Sequence, residues 1–237
     1  MKNVRSYAII EYLKGKKFCS IPELREKFDV SNATIHRDIA ALVRRGVVQK
    51  MRGGVALGTV TPVVTTSSAY AERQNWNCRA KQLIAEEAFS RIEDGDIIFL
   101  DSSTTVCSLA EKLEKSNFTN LTVITNSVPV ISNFYLFPPH YVLVGLGGSY
   151  DLQLNAFLGQ STIRELESLS VSKVFVSAFG LADGIVTTNN EKHFALLQKL
   201  MEIAEQKLLL IDNSKLDRKG LFRFATEAMF DAVITAG

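Results

Sequence analysis

The stretch of residues 20–54 constrains the fold more than any other part of this chain, because it predicts two short helices joined by a tight turn and followed by a hairpin. Ser20 is a favourable helix N-cap residue, and Glu23, three positions later, completes the pattern of a capping box. After a two-residue turn, Ser31 caps a second helix that is predicted to run to Gly46, since glycine commonly ends a helix. This order of elements is typical of a helix-turn-helix, whose second helix enters the major groove of DNA.

The second predicted helix has an apolar face and an opposite face that suits contact with DNA. At about 100° per residue, four apolar residues fall on one side and are predicted to pack: Ile35, Ile39, Leu42 and Val43. Arg37 points away from them and can make a two-pronged contact with guanine. The residues after this helix predict a β-hairpin that turns at Gly53-Gly54, a wing of the kind that lies along the phosphate backbone. The predicted DNA-binding residues are Ser31, Asn32, Ala33, Thr34, His36, Arg37, Arg44, Lys50 and Arg52.

Charge is divided unevenly along the chain. Residues 1–58 contain twelve Lys and Arg against five Asp and Glu, a formal charge of +7, whereas the whole chain carries +2. The remaining residues therefore carry −5. A basic N-terminal part attached to an acidic C-terminal part indicates that the first part, and not the second, binds double-stranded DNA.

Hydrophobic patterning predicts a second domain in which strands alternate with helices. Such alternation favours a mainly parallel sheet that helices cover on both faces. The predicted strands are residues 97–100, 121–125, 141–145, 174–180, 208–211 and 232–236. We therefore predict a winged helix-turn-helix DNA-binding domain, a small α+β head, at residues 1–57, a linker at 58–78 and an α/β domain at 79–237.

Polar loops follow four of the predicted strands. Ligands of parallel sheets bind beyond the carboxyl ends of the strands, close to helix N-termini, where hydroxyl and N–H groups suit an anion. Glycine lets the backbone approach a ligand closely, and a lysine supplies the positive charge that a phosphate requires. The candidate effector-binding residues are Asp101, Ser102, Ser103, Thr104, Thr105, Asn126, Gly147, Gly148 and Lys215.

The remaining composition argues against several classes of protein. The sequence contains no run of about 18 apolar residues, so no membrane span is predicted. The first residues do not have a signal-peptide pattern. The three cysteines, Cys19, Cys78 and Cys107, are scattered and odd in number, so we interpret each as a small packed hydrophobe in a reduced, cytoplasmic setting. The three histidines are isolated as well, and no metal spacing, P-loop or dinucleotide motif is present, so neither a metal nor a cofactor is predicted.

These segments together resemble the DeoR-type bacterial transcription regulators. Residues 30–54 resemble the family's recognition helix and wing, and the signatures of its sensor domain occur in order as DGDIIFLDSSTT, LTVITNS, LGG and LIDNSK. The resemblance implies a winged helix-turn-helix joined to an α/β effector-sensing and oligomerisation domain akin to ribose-5-phosphate isomerase. It also implies a repressor of sugar-metabolism genes, relieved by a phosphorylated sugar or a related metabolite, that assembles into a dimer or a tetramer.

One predicted helix departs from the family pattern. The family usually has an acidic residue near Phe194 and a lysine near Gln198, and this chain has neither. Lys192 or Lys199 could compensate, although helical geometry turns a neighbouring residue by about 100°. The departure keeps open an alternative in which the protein is an effector-independent DNA-binding oligomer.

An enzyme that acts on a sugar phosphate, such as an isomerase, is the other alternative. An isomerase needs a carboxylate base beside the substrate, and Asp101 and Asp212 are the carboxylates at the ends of predicted strands. A basic DNA-reading head on an active isomerase would be unusual, so we predict a regulator without catalytic residues.

Overall fold

The computed structural model describes residues 8–10, 12–13, 16, 18–44, 48–51, 53–57 and 69–237. By internal contacts, the chain divides into two compact units between residues 67 and 68. The smaller, N-terminal unit has one hydrophobic core, and the larger, C-terminal unit has two.

The described part of the N-terminal unit includes two helices, further helical residues at 8–10 and 12–13, and a small antiparallel sheet. The helices are α1 (Ile21–Phe28) and α2 (Asn32–Arg44), and the strands are β1 (Cys19–Ser20), β2 (Val48–Met51) and β3 (Gly54–Leu57). The sheet has the order β1-β3-β2. Nine residues form its core: Ile9, Leu13, Cys19, Leu24, Ile35, Ile39, Leu42, Val48 and Val55. The predicted helix-turn-helix and hairpin are therefore confirmed.

The start of α1 has the predicted cap but not the complete capping box. The Ser20 hydroxyl accepts a hydrogen bond from the backbone N–H of Glu23, at 3.3 Å. The Glu23 carboxylate accepts bonds from the Tyr12 hydroxyl and the Lys16 ammonium. Asp29 ends α1 in the left-handed conformation, with φ 46°, which turns the chain towards α2.

Two details of the N-terminal prediction are wrong. Met51 pairs with Gly54 across the hairpin, so the turn lies one residue earlier than predicted and Gly53 adopts φ +86°. Val43 was predicted to pack but is 37% exposed, because it lies at the edge of the apolar face of α2. The predicted helix end at Gly46, the wing residue Arg52 and residues 58–68 of the predicted linker lie outside the described residues.

The C-terminal unit contains a parallel sheet flanked by helices. The strands are β4 (Ile97–Leu100), β5 (Thr122–Thr125), β6 (Val142–Gly145), β7 (Ser149–Asp151), β8 (Ala156–Leu158), β9 (Val171–Val176), β10 (Gly180–Ala182), β11 (Ile185–Thr188), β12 (Ala204–Asp212), β13 (Phe222–Thr226) and β14 (Ala232–Ala236). The helices are α3 (Ala69–Asn75), α4 (Cys78–Phe89), α5 (Thr104–Leu113), α6 (Val128–Asn133), α7 (Gln160–Glu167) and α8 (Glu191–Ile203).

The six strands of the main sheet have the order β6-β5-β4-β9-β12-β14, and every neighbouring pair is parallel. All six predicted strands are present in this sheet, and the predicted mainly parallel α/β domain is confirmed. The order of strands reverses between β4 and β9, so the loops after these two strands leave in opposite directions. A crevice at such a switch point is the usual ligand site of an open parallel sheet.

Two antiparallel additions were not predicted from the sequence. The first is a sheet with the order β10-β11-β13, and the second is the hairpin β7–β8. The predicted strand at 174–180 is divided between β9 and β10. The division occurs at Ser177, whose backbone N–H donates to the Asp101 carboxylate at 3.4 Å and not to a neighbouring strand.

Helix α3 lies within the range 58–78 that was predicted to be a linker. Tyr70 of α3 is buried among core residues of the C-terminal unit, and its hydroxyl lies 3.0 Å from the Cys107 thiol. The C-terminal unit thus includes residues from 68 onwards. Low charge and β-branched residues predicted a linker as far as residue 78, but burial of Tyr70 packs α3 against the C-terminal core, so residues 69–75 are not part of a linker.

Candidate functional site

A cavity of about 510 Å³ lies in the C-terminal unit, at the carboxyl ends of β4, β9 and β12. The switch point between β4 and β9 therefore forms part of its wall. The first residues of α5, the end of α3 and the loop after β12 surround it. Four predicted effector-binding residues line this cavity: Ser102, Ser103, Thr104 and Lys215.

One side of the cavity carries a cluster of three cations, Arg73, Lys81 and Lys215. The Lys215 ammonium donates to the Ser177 hydroxyl at 3.1 Å. The Lys81 ammonium is buried and donates to the backbone carbonyl of Arg73. The Arg73 guanidinium donates to the carbonyl of Gln153 at 2.8 Å. None of the three forms a salt bridge within the described ranges.

Burial and mutual repulsion alter the protonation of this cation cluster. Burial lowers the pKa of Lys215 to about 8, although the neighbouring Asp212 carboxylate opposes this change and Lys81 and Arg73 reinforce it. Burial also lowers the pKa of Lys81. An anion placed among these groups would favour their charged forms.

The start of α5 adds hydrogen-bond donors to the same wall. Ser103 is the N-cap of α5, and its hydroxyl accepts from the N–H of Val106 at 3.1 Å. The Ser102 hydroxyl is buried and has no hydrogen-bond partner among the described residues. A buried hydroxyl without a partner is costly, and Ser102 lies in the cavity wall. The helix dipole of α5 also favours a negative charge there.

Beside the cation cluster lies a buried chain of hydrogen bonds that joins Asp101, His193 and Thr188. His193 Nε2 lies 2.9 Å from Asp101 Oδ1, and His193 Nδ1 lies 3.3 Å from the Thr188 hydroxyl. Burial alone raises the pKa of Asp101, but the charge and hydrogen bond of His193 and the N–H groups of Ser102 and Ser177 outweigh it, so the pKa is lowered. Asp101 is fully buried behind the cavity wall and positions His193.

The remaining wall combines amides with aromatic rings. Trp76 and Phe179 line the cavity together with Gln153, Asn189 and Asn190. The Arg218 guanidinium stacks over the Phe179 ring at 4.6 Å, which places a fourth cation at the rim. Amides and aromatic faces together suit a ligand that has both hydroxyl groups and apolar surface.

Five predicted effector-binding residues do not line the cavity: Asp101, which lies behind its wall, and Thr105, Asn126, Gly147 and Gly148. Thr105 is buried within α5. The hairpin β7–β8 covers Asn126, whose side chain donates to the Phe157 carbonyl at 3.0 Å. Gly147 and Gly148 follow β6, on the far side of β5, and Gly147 contacts α7 through the Glu165 carboxylate. The prediction that four loops converge on one site is therefore wrong for the loops after β5 and β6.

Several residues of the cavity were missed by sequence reasoning. The prediction that the histidines are isolated is wrong for His193, which is joined to Asp101 across a separation of 92 residues. Arg73 falls within the predicted linker, and Lys81 was not among the predicted site residues. Lys199 does not compensate for the departure at α8, because it pairs with Glu167 and Glu202. No local pattern marks these cations as a set.

Two further expectations can be compared with the structure. Cys19 and Cys107 are buried, as predicted, but Cys78 is exposed at the first turn of α4, so its interpretation as a packed hydrophobe is wrong. Within the described part of the chain, no group of three or more His, Cys, Asp and Glu side chains could hold a metal ion.

The predicted DNA-binding residues that the structure describes form a surface on α2 and β2. Ser31, Asn32, Ala33, His36, Arg37 and Lys50 are exposed. Thr34 is half-buried, and its hydroxyl lies 2.9 Å from that of Ser31, which caps α2. The Arg44 side chain and Arg52 lie outside the described residues. An exposed arginine on a helix with small neighbours can approach base edges in a major groove.

Comparisons with known proteins agree with this two-part organisation. Residues 5–61 match the DeoR-like helix-turn-helix domain, and residues 76–236 match the DeoR C-terminal sensor domain. The chain is 34% identical over 214 residues to the lactose phosphotransferase system repressor of Staphylococcus epidermidis, covering 90% of this chain and 83% of that protein. It is 29% identical over 238 residues to the HTH-type transcriptional regulator IolR of Bacillus subtilis, covering 100% of this chain and 92% of that protein.

A helix-turn-helix with a wing, followed by a parallel α/β unit that contains a polar cavity, defines a two-domain transcriptional regulator. The chain belongs to the DeoR family of these regulators. Its C-terminal unit is also similar to ribose 5-phosphate isomerase A from Methanocaldococcus jannaschii, with 18% identity and a TM-score of 0.42 over 59% of this chain and 55% of that chain. In the ranges that the structure describes, no helix has both the length and the apolar character to cross a membrane.

Proposed function

We propose that this protein represses sugar-metabolism genes by binding double-stranded DNA, and that a phosphorylated sugar bound in the cavity relieves repression. The cation cluster of Arg73, Lys81 and Lys215 carries this proposal, together with the Ser102 hydroxyl beside it. A phosphate group supplies the negative charge and the acceptor oxygens that this cluster requires. The alternative of an effector-independent oligomer leaves the clustered cations, of which Lys81 is buried, and the hydroxyl unexplained.

The names of relatives support the sugar class of the effector. Besides the lactose phosphotransferase system repressor, the HTH-type transcriptional repressor GlcR of Bacillus subtilis is 29% identical over 231 residues. We also propose that the protein is a homo-oligomer, because regulators with a helix-turn-helix commonly bind two half-sites as dimers. We further propose that residues 1–57 form the DNA-binding domain, and that residues 79–237 together with helix α3 form the effector-sensing and oligomerisation domain.

Helix α3 offers a route by which the effector could alter DNA binding. The Arg73 carbonyl accepts from the Thr104 hydroxyl at 3.4 Å and from the Lys81 ammonium, and the Arg73 side chain reaches Gln153. A phosphate would compete for Lys81 and Arg73 and so redistribute the bonds that hold α3. Because α3 is the first described helix of the C-terminal unit, we propose a population shift of α3 as the change that links effector binding to DNA binding.

The arrangement of carboxylates supports binding without turnover. An isomerase needs a carboxylate base that can reach the substrate carbons. Asp101 is fully buried and bonded to His193, and Asp212 accepts hydrogen bonds from Asn77 and Ser214. Both carboxylates are thus used to hold the cavity wall, so we propose that the protein is not an enzyme.

Replacing Arg37 with alanine tests the assignment of α2 to the major groove. We expect operator affinity to fall by about 1–3 kcal/mol and the preference at one base pair to relax, because a two-pronged contact with guanine is lost. Gel-shift titration against a set of single-base operator variants measures both effects.

Arg25 provides the matched control for Arg37, because it is an exposed arginine on α1 and not on α2. We expect any effect of Arg25→Ala on affinity to be the same for every operator variant, because loss of a contact to phosphate does not depend on the base sequence. Unchanged affinity and unchanged base preference in Arg37→Ala would contradict the recognition-helix assignment.

Release of DNA by sugar phosphates tests the function as a whole. The full-length protein is bound to genomic fragments at low ionic strength, and a panel of hexose and pentose phosphates is added. We expect at least one sugar phosphate to dissociate the complex and the corresponding free sugar to leave it intact. A protein that binds no genomic fragment under these conditions would overturn the proposal.

A further inference from the structure

We infer that the Trp76 indole is a platform for stacking of a sugar ring, so that the cavity selects the cyclic form of a sugar phosphate over open-chain phosphates. The inference rests on the proposed function and deepens it, because the cation cluster accounts for the phosphate group alone. The remainder of the ligand must contact other residues of the cavity wall, which include aromatic and amide groups.

Trp76 lies in the cavity wall and not in a hydrophobic core. Its side chain is 60% exposed, although tryptophan has the largest apolar surface of any residue. Trp76 lines the same cavity as Arg73 and Lys81, which lie three residues before it and five residues after it. An indole beside a phosphate-binding cluster can cover the part of a ligand that adjoins the phosphate.

The backbone on both sides of Trp76 is held in place. The Trp76 N–H donates to the Arg73 carbonyl at 3.3 Å. The next residue, Asn77, adopts the left-handed conformation with φ 53°, and its side chain donates to Asp212 at 2.9 Å and to the Ser214 hydroxyl at 3.1 Å. These bonds tie the junction of α3 and α4 to the loop that carries Lys215, so the backbone that carries the indole is held close to that loop.

Amide groups in the cavity wall suit the hydroxyl groups of a sugar. Asn189 accepts from the Leu221 N–H through its Oδ1 at 2.9 Å, which leaves its NH₂ group without a partner in the described structure. Asn190 caps α8 and donates to Asp151 at 2.9 Å, so its position in the wall is fixed. An aromatic face and amides in one cavity wall match a ring that has C–H bonds on its faces and hydroxyl groups at its edge.

The geometry of an indole favours a ring over a chain. The face of an aromatic ring is electron-rich and attracts bonds that carry partial positive charge. A sugar ring directs several C–H bonds to one of its faces at once. An open-chain polyol can present the same face in only a few of its many conformations, so its binding costs more conformational entropy. We therefore expect stacking on Trp76 to increase affinity for cyclic sugar phosphates only.

Fluorescence provides a direct test, because Trp76 is the only tryptophan in the chain. The full-length protein is titrated with hexose and pentose phosphates, with glucitol phosphate as an open-chain match and with inorganic phosphate, and thermal melting measures binding independently. We expect the cyclic sugar phosphate that stabilises the protein most to shift the Trp76 emission. Glucitol phosphate and inorganic phosphate are expected to leave the emission unchanged at saturation.

Substitutions separate stacking from a general effect on the fold. Trp76→Ala is expected to weaken binding of that sugar phosphate about tenfold and to leave binding of inorganic phosphate unchanged, whereas Trp76→Phe retains most of the affinity. Tyr135→Ala is the matched control, because Tyr135 is an aromatic residue that is 79% exposed and lies outside the cavity.

The outcomes distinguish this inference from the proposed function. If a sugar phosphate binds Trp76→Ala as tightly as the unaltered protein, or binds without changing the indole emission, the stacking inference is wrong and the phosphate-binding function stands. If neither inorganic phosphate nor any sugar phosphate binds, the proposed function and the inference are both wrong.

Discussion

Methionine in place of Lys215 is expected to weaken binding of a hexose phosphate by about 30- to 1,000-fold, or about 2–4 kcal/mol. Lys215 lies in the cavity wall, bonded to Ser177 and close to the Asp212 carboxylate. Methionine preserves the length and much of the volume of the side chain, so the loss is chiefly of charge. In this variant the phosphate would still contact Arg73 and Lys81. The repulsion between the phosphate and the Asp212 carboxylate would no longer be offset by the positive charge of Lys215. Calorimetric titration of the full-length protein measures the change.

Lys199→Met is the matched control for this substitution. Lys199 also lies in the C-terminal unit and is partly exposed, but it pairs with Glu167 and Glu202 and does not line the cavity. We expect its effect on sugar-phosphate affinity to be negligible. Equal affinity in Lys215→Met and the unaltered protein would exclude the cation cluster as the phosphate site.

The pH dependence of sugar-phosphate affinity gives a second test of the contribution of the Lys215 charge. Since burial lowers the pKa of Lys215 to about 8, the unliganded side chain loses its proton as the pH rises through that value. A phosphate ester is already a dianion above its second pKa of about 6, so its charge does not change in this range. Affinity should therefore fall as the pH is raised above about 8. Lys215→Arg, which stays protonated, should remove most of this fall.

Alanine in place of Gly54 is expected to unfold the N-terminal unit in most molecules and to abolish DNA binding. A Cβ atom there would lie 2.3 Å from the Cys19 carbonyl oxygen and 2.5 Å from the Phe18 ring. The first contact is with backbone, so the pairing of β1 with β3 must break. Overpacking of this kind costs about 3 kcal/mol or more, and a single core in a domain of this size rarely supplies more than about 3–5 kcal/mol.

Gly147→Ala is the control for this prediction. A Cβ at Gly147 would lie 3.5 Å from the Glu165 carboxylate, an ordinary contact, so we expect that variant to melt and to bind DNA as the unaltered protein does. Calorimetry and circular dichroism should show that Gly54→Ala loses the transition of the N-terminal unit and keeps that of the C-terminal unit. A normal melting profile with normal DNA affinity would show that β1 does not pair with β3 in solution.

Local signals accounted for much of the fold. The cap at Ser20, the turn before α2 and the strands of the main sheet all follow from residues that lie close together in sequence. The same kind of signal failed at β10, β11 and β13, which form a sheet through long-range antiparallel pairing. It also failed at α3, where burial of Tyr70 against α5 overrides a composition that indicated a linker.

The candidate site was predicted in part. The loops after β4 and β12 do line one cavity, because the carboxyl ends of parallel strands meet at one edge of a sheet. The loops after β5 and β6 lie at that edge too, but the hairpin β7–β8 covers the first, and the second contacts α7. Arg73 and Lys81 could not be predicted, because their shared position depends on how α3 and α4 dock against the sheet.

Periodicity, capping residues and uneven charge in the sequence alone determined a basic helix-turn-helix head and an α/β body, because these signals act over a few residues or sum over a segment. Only the tertiary structure decided which polar side chains share one cavity. Strand β9 lies beside β4, so Asp101 meets Ser177, which is 76 residues away, and α8 then brings His193 from 92 residues away. Such neighbours depend on strand order and helix docking, which no local pattern specifies.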